Sequence, residues 1–150
     1  MRAARGFTLL EMIVVVVLFA AISALAASVV SRNLPAQQLQ RATREIAAQL
    51  RYTRARAIST GTAQVFVLDT RTRAWRAPDR HHGEVPASIQ VVATAAKGEQ
   101  EGDQTAVVRF FPEGAATGGR FVLRRDRAAW QIDIEWLTGE VRVTRAGAGR

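Results

Sequence analysis

The sequence predicts an α+β protein, with a long N-terminal helix, membrane-spanning in its first half and amphipathic in its second, packed on a small antiparallel β-sheet head. Three observations predict it. From Met12 to Val30 there are 19 consecutive residues without a charge. From Ala36 to Thr60 apolar residues recur at helical spacing. Beyond Gly61 the pattern changes to short alternating runs broken by Gly, Pro, Asp and Thr, as strands and turns require. A length of 150 residues fits one domain of ordinary size. An apolar fraction of 48% is too high for a disordered polyelectrolyte, so the chain folds despite a net charge of +8. The lack of cysteine excludes a disulfide framework, a thiolate zinc site, an iron–sulfur cluster and a cysteine nucleophile together.

The first element is the uncharged run. As helix its 19 residues extend about 28 Å, close to the hydrocarbon thickness of a bilayer. A core helix rarely needs that length. Arg2 and Arg5 precede the run and no further basic residue appears until Arg32, which places the N-terminus in the cytoplasm and the rest of the chain on the other side. A cleaved secretory signal is the rival reading, since Ala24-Leu25-Ala26 suits a signal peptidase. The run is long for a signal peptide, however, and Glu11 stands where the charged leader should pass smoothly into the apolar stretch.

The residues Gly6-Phe7-Thr8-Leu9-Leu10-Glu11, after a short basic leader and before a span-length apolar helix, resemble the class III signal of type IV pilins and type II secretion pseudopilins. The resemblance implies that prepilin peptidase cuts between Gly6 and Phe7, that Phe7 is N-methylated, and that the hydrophobic helix stays in the mature protein. It also implies that Glu11 meets the N-terminal amine of a neighbouring subunit and sets the axial register of a filament. The physics agrees at each position. Glycine before the scissile bond leaves the backbone unobstructed. A carboxylate at the edge of an apolar phase is costly unless partnered, and the first turn of a helix is the favourable end for it.

Ser31-Arg32-Asn33-Leu34-Pro35 interrupts the pattern, and Pro35 predicts a kink or local break. From Ala36 to Thr60 the helix resumes with Leu39, Ala42, Ile46, Leu50, Thr53 and Ala57 on one stripe and Arg41, Arg44 and Arg51 opposite; Gly61 stops it. Gln64 to Asp69 and Ala74 to Ala77 flank a Thr-Arg-Thr-Arg turn and predict a hairpin. Ile89 to Ala93 and Ala106 to Phe111 are further strands, separated by the polar loop Lys97 to Asp103. Phe121 to Arg124, Trp130 to Trp136 and Val141 to Thr144 complete the set. The alternation from Trp130 to Trp136 puts both tryptophans, Ile132 and Ile134 on one half-buried face, and Thr138-Gly139 turns the chain into a last hairpin. The organisation expected is a leader over 1–6, a transmembrane and filament-core half-helix over 7–31, an amphipathic half over 32–61, a β-rich periplasmic head over 62–145 and a frayed tail over 146–150.

Phe110-Phe111-Pro112-Glu113-Gly114, Phe121-Val122-Leu123, the Trp130 to Trp136 strand and Thr138-Gly139-Glu140-Val141 are similar to the C-terminal pattern of the general secretion pathway H (GspH) pseudopilins and their type IV minor pilin relatives. That resemblance implies a type IV pilin-like fold and a minor pseudopilin without catalytic residues, cofactor or metal. Its implied location is the inner membrane, single-pass, with the head in the periplasm. Its implied partners are other major and minor pseudopilins, prepilin peptidase, the inner-membrane secretion platform, membrane lipid and an exoprotein. A type IV minor pilin that primes pili or takes up DNA is the alternative the pattern leaves open.

Catalytic signals are poor. His81 and His82 are adjacent, so on a strand they face opposite ways. The glycine-rich Gly114 to Arg120 lacks the Lys-Ser/Thr of a phosphate loop and precedes a strand. Glu99, Glu101 and Asp103 read as a solvated loop. All but one of the 21 basic residues are arginine, and Arg41, Arg44, Arg51, Arg124, Arg125, Arg127, Arg142 and Arg145 are the candidates for a phosphate-binding patch. A solvated helix face is the reading preferred, and nucleic acid is not expected as a partner. Loss of Arg2 and Arg5 with the leader leaves 19 basic and 13 acidic side chains, a net +6.

Overall fold

The computed structural model describes residues 9–95 and 104–147, with the side chains of 25–34 and of Ala95 outside the description. The order is α1 (Leu9–Thr60), β1 (Gln64–Asp69), β2 (Ala74–Arg76), β3 (His82–Glu84), β4 (Gln90–Ala95), β5 (Thr105–Phe110), β6 (Gly119–Arg125), β7 (Ala128–Ile134) and β8 (Val141–Arg145). The chain divides into two compact units, Met1–Pro35 and Ala36–Arg150. Of the kink or local break expected at Pro35, the break does not occur, because α1 includes Pro35. A proline removes one backbone bond and costs about 3 kcal/mol inside a helix, which the long helical stretches on both sides tolerate. The polar loop 97–103 and Gly6 and Phe7 lie outside the described residues.

In the first unit, the described part of α1 is apolar on all sides. In the second, α1 is one-sided. Leu39, Ala42, Ile46, Ala47, Leu50 and Ala57 are buried, together with Thr43 and Thr53. The two threonines fit the stripe because each hydroxyl donates to the carbonyl one turn earlier, Thr43 Oγ1 to Leu39 O at 2.8 Å and Thr53 Oγ1 to Gln49 O at 2.7 Å. Gly61 ends the helix at φ +63°.

The head contains two four-stranded sheets, ordered β3-β2-β1-β5 and β4-β6-β7-β8, with every described pairing antiparallel. The β1–β2 turn is held by Asp69, whose Oδ1 accepts from Arg71 N and Thr72 N at 2.8 Å each. Strand β3 is the element that sequence periodicity missed. It is three residues long and pairs with β2, and Gly83 sits under the Trp75 ring where a Cβ would come within 2.6 Å of Cζ2. Phe66 of the first sheet meets Phe121 of the second edge-on with centroids 6.1 Å apart, so one core serves both sheets and the helix stripe. The segment after β5 stitches the sheets together. Thr117 N donates to Arg109 O at 2.9 Å, and Ala116 N donates to Trp136 O at 2.8 Å.

All the expected strands but Gln64–Asp69 differ from their expected extents by one or two residues at an end, and in β7 the difference moves a side chain. β7 ends at Ile134, and Trp136 is 63% exposed instead of sharing the buried face of Ile132 and Ile134. The turn into β8 already starts at Glu135, whose N–H donates to Glu140 O, so the alternation stops being a pleat two residues early.

Candidate assembly site

The first feature is the described start of α1. Leu9, Leu10, Met12, Ile13, Val14, Val15, Val16, Val17, Leu18, Phe19 and Ile22 are all at least 42% exposed. A soluble chain rarely shows such a continuous apolar surface without a partner for it. Glu11 lies in the first turn, the position where the helix dipole favours an anion. Among the described residues no helical stretch is both long and apolar enough to cross a membrane. The described side chains stop at Ala24, partway through the uncharged run that reaches Val30.

The second feature lies at the far end of the helix. Arg54 donates from Nε to Gly114 O and to Thr138 O, both at 3.1 Å, and so fastens two loops to α1. The loops touch so closely that a Cβ on Gly139, at φ +65°, would lie 2.2 Å from Gly114 O. Here the Phe110–Gly114 and Thr138–Gly139 segments, far apart in sequence, become one structure. It holds up three exposed apolar side chains, Ile58, Trp136 and Leu137. Arg54 went unread in the sequence because it looks like any helix arginine. The signal available was two glycine turns needing a common donor.

The third feature joins the β2–β3 hairpin to α1. Asp79, at φ +57°, accepts from the Tyr52 hydroxyl and pairs with Arg56, Nε lying 2.7 Å from Oδ2. The Tyr52 bond first, and Arg56 after it, hold the Asp79 carboxyl below its ordinary range, while the same bond raises the Tyr52 phenol. His81 stacks on Tyr52 at 4.7 Å and its Nδ1 lies 3.2 Å from Gln49 Oε1; the His82 Nδ1 is 2.8 Å from Arg80 O. These histidines do not converge on one point. Among the described residues no group of three His, Cys, Asp or Glu could hold a metal ion.

The arginines are dispersed. Arg120 pairs with Asp133 at 2.6 Å and Arg142 with Glu140 at 2.8 Å on the outer face of the second sheet. Burial pushes Asp133 up, but bonds from Gln131 and Arg120 outweigh it and leave the carboxyl lowered; Glu140 is lowered by Arg142. Arg125 donates to Gln38. Arg44 and Arg51 line the opposite flank of α1, beside β8. The eight candidates therefore do not form one patch.

Comparison with known proteins agrees with this architecture. The family model "Type II transport protein GspH" matches residues 42–139, and "Prokaryotic N-terminal methylation motif" matches residues 1–27. A type II secretion system protein H of Xanthomonas campestris pv. campestris is 45% identical over 141 residues, covering 94% of this chain and 83% of that protein. Among solved structures, the minor pseudopilin EpsH of the Vibrio cholerae type 2 secretion system matches with TM-score 0.57 at 12% identity, over 72% of this chain and 97% of that one. The type IV minor pilin FimU of Pseudomonas aeruginosa matches with TM-score 0.56 at 14% identity, over 75% and 95%. At such identities the structural likenesses show the fold alone, a pilin-like α+β fold. The family match over most of the head, with the methylation motif ahead of it, shows that the chain belongs to the GspH family, the minor pseudopilins of type II secretion.

Proposed function

We propose that this membrane-anchored periplasmic pseudopilin is cut after Gly6 by prepilin peptidase, methylated at Phe7, and passes from the inner membrane into the pseudopilus near its tip, where it serves export of folded exoproteins. Before assembly it spans the membrane once, N-terminus in the cytoplasm. It is a substrate of the peptidase and performs no chemistry itself. The observation that carries the reading is the all-round apolar exposure from Leu9 to Ile22 with one acid, Glu11, in its first turn. Lipid covers such a surface before assembly and the helices of other pseudopilins cover it afterwards. In the second setting Glu11 meets the amine of a neighbour's Phe7, a match of opposite charges in a low-dielectric place that fixes axial register. The type IV minor pilin alternative draws on the FimU likeness, which is one of fold; the family match and the 45% identical relative both favour secretion.

The test is Glu11→Ala in cells carrying the whole secretion system. Cleavage after Gly6 is expected to continue, while co-assembly with the other pseudopilins falls sharply. Normal co-assembly would refute the register role. A mature N-terminus at Ala27 or Ser28 instead of methyl-Phe7 would overturn the pilin-type processing altogether.

A further inference from the structure

The second sheet ends at β8, and the hydrogen-bond phase of that strand decides which of its backbone groups are left over. Glu135 N donates to Glu140 O and Ala146 N to Ala129 O, both at 3.0 Å. Ile134 lies opposite Val141, Ile132 opposite Val143 and Trp130 opposite Arg145. In an antiparallel ladder bonded and non-bonded pairs alternate, so Arg142 and Thr144 bond to β7. The N–H and C=O groups of Val141, Val143 and Arg145 therefore point outward. Arg51 donates from Nη2 to Val141 O at 2.9 Å. Those of Val143 and Arg145 have no backbone partner among the described residues.

Beside this edge lies a groove of about 300 Å³ between β8 and α1. Thr43, Ala47, Trp130 and Val143 form its floor, and Arg44 and Arg51 form its rim. Trp130 and Val143 belong to the inward rows of their strands yet are only half-buried, because among the described residues β8 is paired on one side only. Among the described residues no carboxylate lines the groove. Among the described ion pairs none involves Arg44, Arg51 or Arg145.

We propose that the β8 edge accepts an extended, carboxylate-bearing segment of a neighbouring filament subunit as an added strand. Such a strand presents N–H and C=O groups at the two-residue repeat that Val143 and Arg145 require. Its apolar side chains on one face fill the groove over Trp130, Val143 and Ala47. Its carboxylates, on the same helix-facing row as those apolar side chains, meet Arg44 and Arg51 on α1 and Arg145 in the row of Val143, a charge match that the groove itself leaves unmade. A phosphate-bearing partner, lipid or nucleic acid, would satisfy the arginines but lacks alternating N–H and C=O groups at the strand repeat that the Val143 and Arg145 backbone requires. The choice of a filament subunit rests on the function proposed above. The groove begins at Gln40, in the first turns of the head unit and next in sequence to the apolar half-helix that assembles.

The test uses the full chain in non-ionic micelles with a blocked six-residue peptide, Glu-Thr-Val-Thr-Glu-Thr, whose Glu and Val side chains share one row, followed by the backbone amide signals of Val143 and Arg145. Saturable binding is expected, weakened about tenfold or more by Val143→Pro, which removes an outward donor while leaving the bonds to β7 in place. Arg44→Glu, at an exposed position, is expected to weaken binding comparably without altering the fold, and it keeps the test decisive if the proline variant misfolds. The same peptide with Lys in place of Glu should not bind. Absence of binding at millimolar peptide, or equal binding to Arg44→Glu, overturns the proposal. So does a short DNA duplex or an anionic vesicle that shifts the same amides as strongly. None of these outcomes bears on cleavage after Gly6 or on Glu11, so the pseudopilin reading stands or falls separately.

Discussion

From Leu9 to Ala24 the helix turns every large apolar side chain outward, Val15 at 42% the least exposed and Leu9 at 79% the most; from Leu39 to Ala57 the same helix hides a stripe at 0 to 5%. The residue types overlap. Leucine, isoleucine and alanine serve both halves, so what differs is the arrangement around the helix axis. A half that is apolar on every side has no direction in which one chain could bury it, and its partner must be a different phase or many other chains. A half with one apolar stripe and arginines opposite asks for a single layer, and its own sheets provide that layer. One helix thus carries a stretch that its own chain leaves exposed and a stripe that its own sheets cover.

The sharpest way to break this comparison is to delete the same side chain from each half. Leu50→Ala removes a fully buried leucine, and the cavity left is expected to cost about 2–5 kcal/mol of head stability. Leu18→Ala, at 56% exposure, should change head unfolding by no more than about 0.5 kcal/mol. Urea unfolding of the full chain in micelles, followed through buried Trp75, measures both. Equal losses would mean that the first half also stabilises the head. The converse change, Val16→Arg, should leave head unfolding alone and disfavour membrane insertion by about 2.5–3.5 kcal/mol, visible as loss from the membrane fraction.

Smaller effects sharpen the description of the second half as a scaffold. Gly61 and Gly139 both have φ near +65°, at +63° and +65°, but a Cβ on Gly61 meets nothing within 4 Å while one on Gly139 runs into Gly114 O. Gly61→Ala is expected to cost about 1 kcal/mol of left-handed strain. Gly139→Ala should cost about 1–3 kcal/mol and also loosen the loops held by Arg54, read as a change in Trp136 fluorescence. Equal costs would show that the loop contact adds nothing.

The stripe was legible in the sequence because its period is a property of one helix, and Leu39, Ala42, Ile46, Leu50, Thr53 and Ala57 are all buried as expected. The β1–β2 hairpin was legible too, since Asp69 and the residues after it carry the turn chemistry locally. Strand β3 was not. Three residues carry no periodicity, and Gly83 becomes informative only once Trp75 is known to lie over it. The division into two sheets was hidden for a similar reason, because β5 pairs with β1 and β4 with β6, and neither choice is encoded near the strands that make it. Trp136 misled because alternation continues in the sequence beyond the point where the backbone leaves the sheet. Of the assembly features, the motif Gly6 to Glu11 could be read directly, whereas Arg54 and the β8 groove depend on residues brought together from opposite ends of the head.

The smallest effect expected is one of pH, and it touches only the second half. Asp79 has its pKa lowered, first by the Tyr52 hydroxyl and then by Arg56. The unfolded chain therefore binds more protons than the folded one at pH values between the folded and ordinary carboxylate pKa, and stability rises with pH there. The contribution is present above about pH 4 and is lost as pH falls through the folded value. The same hydrogen bond has a second edge, because the Tyr52 pKa is raised. That contribution is complete below the ordinary phenol pKa of about 10 and is lost as pH climbs through the raised one. Asp79→Asn is thus expected to flatten both the acid and the alkaline flanks of the head's stability profile. Asp69, lowered chiefly by the Thr72 backbone N–H, keeps part of the acid flank in the variant and none of the alkaline one. Unfolding free energies at pH 3, 6, 9 and 11 would show it, and an unchanged alkaline flank in the variant would remove the Tyr52–Asp79 bond from the ties between hairpin and helix.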